Sequence, residues 1–280
     1  AKRTNFQFSM TNFQEDFSKI PVAIFCGGRG TRLKEETEVI PKPLVKIGDH
    51  PIIWHIMKIY SAQGFRRFVL LTGYKGEKIR EYFYHYPLYQ RDFTISLVEG
   101  KRNISYHDTK QREDWEVTVL DTGLEAETGC RLKRAEKFLS GGPFLLTYGD
   151  GVSNVNMRQL FDFHRTHQGM VTVTAVEPPA RFGEIHVEGV HATHFWEKVN
   201  VQGGRINGGF FAVEPAIFSM LSDDQKLNFE KDVLPQLARD KRLTVHLHHG
   251  YWQCMDTLRD MEILNEEWRK GTAPWRVWEN

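Results

Sequence analysis

Six residues, Gly27-Gly28-Arg29-Gly30-Thr31-Arg32, close the short apolar run from Val22 to Cys26 and carry the most specific chemistry in the chain. Glycines at such a point let backbone N–H groups approach an anion, while Thr31 and Arg32 add a hydroxyl and a forked cation suited to phosphate oxygens. Beyond this loop, Lys42 stands between Pro41 and Pro43, whose restricted backbones hold a lysine in one direction. A lysine held that way beside a glycine loop is a candidate for meeting phosphate charge. Asp150, between Gly149 and Gly151, follows the apolar run Phe144-Leu145-Leu146 and is expected at the carboxyl end of a strand, where such folds place ligands. Mg²⁺ takes one or two carboxylates and completes its shell with water and phosphate oxygen, so Asp150 is a candidate ligand for it.

Other phosphate and catalytic signatures fail. The dinucleotide fingerprint requires glycine where Leu33 stands, and no Gly-Lys-Ser/Thr follows the loop as a P-loop requires. There is no Gly-x-Ser-x-Gly elbow and no His-Glu-x-x-His pair. Cys26, Cys130 and Cys254 form no CxxC pair or zinc spacing, which points to a reducing, cytoplasmic setting. His246, His248 and His249 alternate with Val245 and Leu247 as the outward polar positions of a half-buried strand. His164 and His167 share a helix face without an acidic third ligand and are set aside with them.

The elements that must position these residues read as alternating strands and amphipathic stretches. Strands are expected at Val22 to Cys26, Phe68 to Leu71, Phe93 to Val98, Val117 to Leu120, Phe144 to Tyr148, Met170 to Val176, Gly208 to Val213 and Leu243 to Leu247. Helices are expected after Pro51, from near Lys75, at Met157 to His167 and at Asp256 to Lys270. This is one doubly wound α/β unit over residues 21–280, with residues 1–20 as an extension of unknown role. Trp268, Trp275 and Trp278 form a C-terminal packing surface, turned onto this domain or onto a neighbouring subunit of a homo-oligomer. With 37 basic and 36 acidic residues and a net charge of +1, no global field draws the chain to nucleic acid or to an anionic membrane. Its apolar runs are also far short of the roughly 20 residues of a membrane helix.

Together, the glycine loop and Pro41-Lys42-Pro43-Leu44 resemble the signature of the sugar-1-phosphate nucleotidylyltransferases. The likeness runs from about Val22 to Glu279 and includes Pro51-Ile52-Ile53-Trp54-His55 and Gly73-Tyr74-Lys75-Gly76. Tyr148-Gly149-Asp150-Gly151, Ile206-Asn207-Gly208-Gly209-Phe210-Phe211, Trp252-Gln253-Cys254-Met255-Asp256-Thr257 and Ala273-Pro274-Trp275 resemble the cytidylyltransferase branch. The resemblance implies a Rossmann-like, mixed and mostly parallel sheet with helices on both faces. It implies transfer of a cytidylyl group from CTP to α-D-glucose 1-phosphate, with Mg²⁺ as cofactor.

Under that resemblance Lys42, Arg32 and Asp150 are catalytic, and Gly27, Gly28, Gly30, Thr31, Arg32 and Arg131 bind the nucleotide. Glu197, Lys198, Asn207 and Gly208 take the sugar phosphate, and Asp150 and Asp256 hold the metal. On residue type alone, Asp256 reads as the N-cap of the helix behind it, Glu197-Lys198 as a surface ion pair and Arg131 as a helix-surface arginine. The chain departs from the branch at Ile40, where a lysine is usual, at Cys130 in place of glycine, and at Val199 in place of proline. These leave open the same chemistry on another nucleotide, such as dTTP or UTP, or another sugar 1-phosphate. A non-catalytic subunit that senses nucleotide sugars is the alternative of another class.

Overall fold

The computed structural model of the chain describes residues 15–98, 103–107, 113–178, 184–188, 191–196 and 204–278. Seven strands form one sheet: β1 (Pro21–Cys26), β2 (Arg67–Thr72), β3 (Glu116–Asp121), β4 (Phe144–Tyr148), β5 (Val171–Val176), β6 (Ile206–Val213) and β7 (Leu243–His248). Their spatial order is β7-β5-β6-β4-β1-β2-β3. Every neighbouring pair is parallel except the two that β6 makes with β4 and β5. The sheet is thus mixed and mostly parallel, as the sequence predicts. From β1 the chain moves to one side, and from β4 to the other, which opens a crevice beyond the carboxyl ends of these two central strands.

Successive side chains of β1 point to opposite faces and are buried on both. Val22, Ile24 and Cys26 enter one core, Ala23 and Phe25 the other. The first core is covered by α1 (Ile52–Ser61), with Ile53 and Met57 inside, and also takes in Leu160 and Leu264. Between α1 and β3 lies α2 (Gly76–Tyr89). The second core lies under α3 (Thr128–Arg134), which contributes Leu132. Leu160 belongs to α4 (Met157–His167), Leu237 of the second core to α5 (Leu234–Arg239), and Leu264 to α6 (Leu258–Arg269). A strand covered on both faces must be apolar throughout, which is why β1 reads as an unbroken hydrophobic run.

Several expectations are corrected. The strand expected at Phe93 to Val98 is Asp92–Ser96, and it pairs antiparallel with Asn103–His107 outside the sheet. Phe93 is 41% exposed there, and Leu97 just beyond the strand is 80% exposed. On the edge strand β7 the alternation is the reverse of that expected. Val245 and Leu247 face outward, while His246 and His248 are half-buried, and the His246 ring packs edge-on to Phe163 of α4 at 5.4 Å. His164 is buried, with its Nδ1 2.8 Å from Thr172 Oγ1. The end of the supposed extension joins the first core: Phe17 lies 5.2 Å from the Phe65 ring, and Ile20 is buried.

Trp275 of the C-terminal tail is fully buried in this chain's own core. Its indole N–H donates to His55 Nδ1 at 3.4 Å, while His55 Nε2 lies 2.9 Å from the Ile47 carbonyl. An indole only donates and a carbonyl only accepts, so the imidazole must be neutral with its proton on Nε2. Burial holds the pKa of His55 down at about 4, and burial does the same for His164. Both groups are depressed below the unfolded value of 6.5, so their share of stability is complete above pH 6.5 and is lost as the pH falls toward 4. The loss approaches about 3 kcal/mol per histidine at pH 4. The melting temperature should therefore fall between pH 6.5 and 4, and His55→Gln, which gains no charge, should flatten that decline in a pH series of thermal melts.

Candidate active site

A cavity of about 270 Å³ lies beyond the carboxyl ends of β1 and β4, lined by Gly28, Gly30, Thr31 and Arg32 of the glycine loop together with Lys42, Tyr148, Asp150 and Asp256. Gly149 permits this arrangement by close approach: a Cβ there would fall 2.7 Å from the Phe25 carbonyl oxygen and 3.2 Å from Pro43. Any side chain at that position would push the Lys42 turn away from the strand end. Lys42 opens a 3₁₀ turn, Lys42–Leu44, with Pro41 and Pro43 both buried on either side of it.

The two acids are brought together by a small antiparallel ribbon in which Gly151–Ser153 pairs with Trp252–Cys254, Gly151 opposite Cys254. The Met255 N–H then donates to the Asp150 carbonyl at 2.8 Å, which sets Asp256 beside Asp150. Asp256 is not the N-cap of α6. Thr257 takes that role in a capping box with Asp260, its hydroxyl accepting the Asp260 N–H at 3.2 Å and its own N–H donating to Asp260 at 2.9 Å. The Asp256 carboxylate is directed into the cleft instead.

Lys42 Nζ donates to Asp150 Oδ2 and to Asp256 Oδ1, each at 2.7 Å, and Arg32 donates to Asp256 Oδ2 at 2.7 Å. Burial alone pulls the Lys42 pKa down, but the two carboxylates outweigh it, and the group titrates above the usual lysine value. Two carboxylates that share one cation form a donor set suited to a divalent ion. Among the described residues no group of three or more His, Cys, Asp or Glu side chains converges.

Arg131 departs from its expected place against the nucleotide phosphates. It is buried beneath the glycine loop, and its two terminal nitrogens donate to the carbonyls of Thr72, Gly123, Gly27 and Leu124 and to the Thr122 hydroxyl, at 2.7 to 3.3 Å. A guanidinium so engaged is a strut, and Gly27 serves it: a Cβ on Gly27 would lie 2.3 Å from the Arg131 Cζ. Gly28 has open space around its Cβ position and faces the cleft. A second cavity of about 200 Å³ adjoins the first, sharing Phe25, Gly28 and Thr128 and bordered by Leu124, Glu125 and Ala126. Arg29 and Glu125 pair at 2.5 Å across the two segments that form it.

Asn207 and Gly208 begin β6, next to β4. Asn207 reaches the cleft through Tyr148, donating from Nδ2 to the Tyr148 hydroxyl at 3.2 Å, and the Gly208 carbonyl accepts from the Trp252 indole at 2.7 Å. Glu197 and Lys198 lie outside the described residues. Sequence reasoning missed Tyr148, Thr128 and Glu230 as site residues. Tyr148 and Thr128 line the cleft, and both donate to Glu230, at 2.6 and 2.5 Å. Tyr148 stands inside a quoted motif, but nothing in periodicity marks Glu230, because a π-helical turn, Phe229–Val233, delivers it.

Comparison with known proteins gives the family and the fold. The profile of the nucleotidyl transferase family matches residues 22–269. The chain is 43% identical over 257 residues to the glucose-1-phosphate cytidylyltransferase of Salmonella typhi, covering 91% of this chain and 98% of that one. It is 42% identical over 255 residues to a probable glucose-1-phosphate cytidylyltransferase of Bacillus subtilis, with the same coverage. Among solved structures, a UDP-glucose pyrophosphorylase bound to UDP-glucose shares the fold with a TM-score of 0.63 at 15% identity, over 90% of this chain and 99% of that one. A putative glucose-1-phosphate thymidylyltransferase from Bacillus anthracis does so with a TM-score of 0.63 at 17% identity, over 91% and 95%. With a cleft at the sheet's switch point, a glycine loop, and a lysine between two aspartates, the chain belongs to the nucleotidyl transferase family, among the glucose-1-phosphate cytidylyltransferases.

Proposed function

We propose that the protein transfers the cytidylyl group of CTP to α-D-glucose 1-phosphate, releasing CDP-glucose and pyrophosphate. The observation that carries this reading is the convergence of Lys42, Arg32, Asp150 and Asp256 on one cleft at the mouth of the glycine loop. A sugar phosphate oxygen attacks the α-phosphorus. The new P–O bond forms as the bond from that phosphorus to the pyrophosphate oxygen breaks. The nucleophile arrives already ionised, so no side chain needs to remove a proton, and the protein's work is alignment and the neutralisation of charge.

In this reading the cleft-facing backbone at Gly28 and Gly30 holds the triphosphate together with Thr31 and Arg32. Lys42 meets the charge that grows on the α-phosphate oxygens and the departing pyrophosphate. The smaller cavity between the glycine loop and residues 124–128 takes the base. Asp150 and Asp256 are the residues that hold Mg²⁺, which supplies Lewis-acid polarisation of phosphoryl oxygens when bound. Asn207 and Gly208, with Glu197 and Lys198, take the sugar phosphate. The free thiols of Cys26 and Cys130 support work in a reducing compartment. Among the described residues no helix is long and apolar enough to cross a membrane.

Pyrophosphate release from a panel of CTP, UTP and dTTP, each with glucose 1-phosphate and other sugar 1-phosphates, tests the substrate assignment. CTP with glucose 1-phosphate should give the highest kcat/KM, and an equal or higher value with UTP or dTTP would overturn it. Lys42→Ala should lower kcat/KM by about a hundredfold or more, a loss on the scale of one electrostatic group at a reacting centre, with the circular dichroism spectrum retained. The same variant should bind Mn²⁺ more tightly than the parent in the absence of nucleotide, because the ammonium that neutralises Asp150 and Asp256 is gone. Electron paramagnetic resonance titration of free Mn²⁺ reads this directly, and Asp150→Asn should abolish the gain.

A further inference from the structure

Tyr148 links the reacting cleft to the strand that carries Asn207. Its ring lines the cleft, stacks on Phe25 with centroids 5.9 Å apart, and meets Phe211 edge-on at 5.9 Å and 87°. Gly209, at φ 78°, makes room for it: a Cβ there would fall 2.4 Å from a Tyr148 ring carbon. Held on three sides, the ring leaves its hydroxyl one location. There it donates to Glu230 Oε1 at 2.6 Å and accepts from Asn207 Nδ2 at 3.2 Å. The other Glu230 oxygen accepts from Thr128 at 2.5 Å.

Glu230 is presented by the π-helical turn, a winding that is rare and recurs at functional sites. The Asn228 side chain fixes the start of that turn, accepting the N–H groups of Glu230 at 3.0 Å and Lys231 at 2.8 Å. A carboxylate only accepts, so the Tyr148 hydroxyl directs its single proton at Glu230. The phenol oxygen is then left to accept, and only the NH₂ end of Asn207 can donate to it. The Gly209 N–H reaches the same conclusion from the other end, donating to Asn207 Oδ1 at 2.8 Å. Two independent contacts therefore fix one orientation of the carboxamide, with its donor edge on the Tyr148 side.

We propose that Glu230 is a positioning residue for sugar-phosphate recognition: through Tyr148 it holds the Asn207 carboxamide so that its N–H edge meets oxygen atoms of the incoming sugar phosphate. The inference rests on the assignment of Asn207 to that substrate given above. The relay has a donor at each step, Asn207 to Tyr148 and Tyr148 to Glu230, and it ends on a carboxylate that can only accept. Breaking either step removes one of the two contacts that orient the amide, so its donor edge is no longer held toward the substrate.

Three variants test it in steady-state assays in which CTP and glucose 1-phosphate are varied separately. Tyr148→Phe keeps the ring packing and removes the hydroxyl; Glu230→Ala removes the acceptor; Glu230→Gln keeps an acceptor oxygen. In the first two, KM for glucose 1-phosphate should rise about tenfold, as expected for one oriented hydrogen bond, while KM for CTP stays within about twofold. Glu230→Gln should restore KM to near the parent value. A parallel rise in both KM values, or a Glu230→Gln variant as impaired as Glu230→Ala, overturns the relay; Tyr148→Phe alone decides if Glu230→Ala does not fold. Asn207→Ala separates the two levels of argument. If it leaves KM for glucose 1-phosphate unchanged, Asn207 is not in the sugar site and the underlying reading falls with the relay. If it raises that KM while Tyr148→Phe and Glu230→Ala do not, the relay alone is wrong.

Discussion

The site is organised around a single ammonium held between two carboxylates. Lys42 meets Asp150 and Asp256 at the same distance, 2.7 Å, and the three residues come from three separate segments of the chain. Such a contact, only partly open to water, demands accurate placement of all three, because an unmatched charge in that position costs far more than the pair gains. Much of the local structure follows from this demand. Gly149 lets the Lys42 turn lie against the end of β1 and β4, the short ribbon sets the two acids side by side, and the capping box of α6 takes over a task that Asp256 would otherwise perform.

A second constraint lies beneath the glycine loop. Arg131 ties the carbonyls of Gly27, Thr72, Gly123 and Leu124 to one planar cation, so the ends of β1 and β2 and the turn after β3 move as a unit. The guanidinium reaches them because Gly27 and Gly73 have no Cβ to block it; a Cβ on either would lie 2.3 Å from a guanidinium atom. The loop therefore divides its glycines between two tasks. Gly27 admits the strut from below, and Gly28 leaves the cleft open above. A loop held from one side can present its N–H groups to a phosphate on the other without being reorganised, which is the condition under which electrostatic stabilisation is strongest.

The features that the sequence made legible are those that depend on local pattern. β1, β4 and α4 are readable because burial on both faces of a strand leaves an unbroken apolar run, and burial of one face of a helix a 3.6-residue period. Lys42 is readable because two prolines flank it and the glycine loop ends ten residues before it. Asp256 is not, because capping by an aspartate and capping by the threonine after it look alike until the capping box is seen. Arg131 shows the opposite limit: its residue type suits phosphate and buried carbonyls equally, and only the tertiary position of α3 decides between them. The histidines of β7 reversed their expected faces because β7 is an edge strand, where a half-buried imidazole packed against Phe163 competes well with an exposed valine. Glu230 left no trace, since a π-helical turn has no sequence period of its own.

The charge balance of the cleft bears on the order of events. Lys42 and Arg32 carry two positive charges and Asp150 and Asp256 two negative ones, so the four side chains are neutral together. A divalent cation entering alone would face an ammonium already lodged between its two ligands, and a triphosphate entering alone would face two carboxylates. Entering together they offset each other. Under the proposed function a triphosphate would draw the lysine and arginine to its own oxygens, and the two carboxylates would then be available to hold a divalent ion. The same exchange would leave Lys42 beside the phosphates as charge builds on them, so in this reading one movement of a side chain would both uncover the two carboxylates and complete the reacting site.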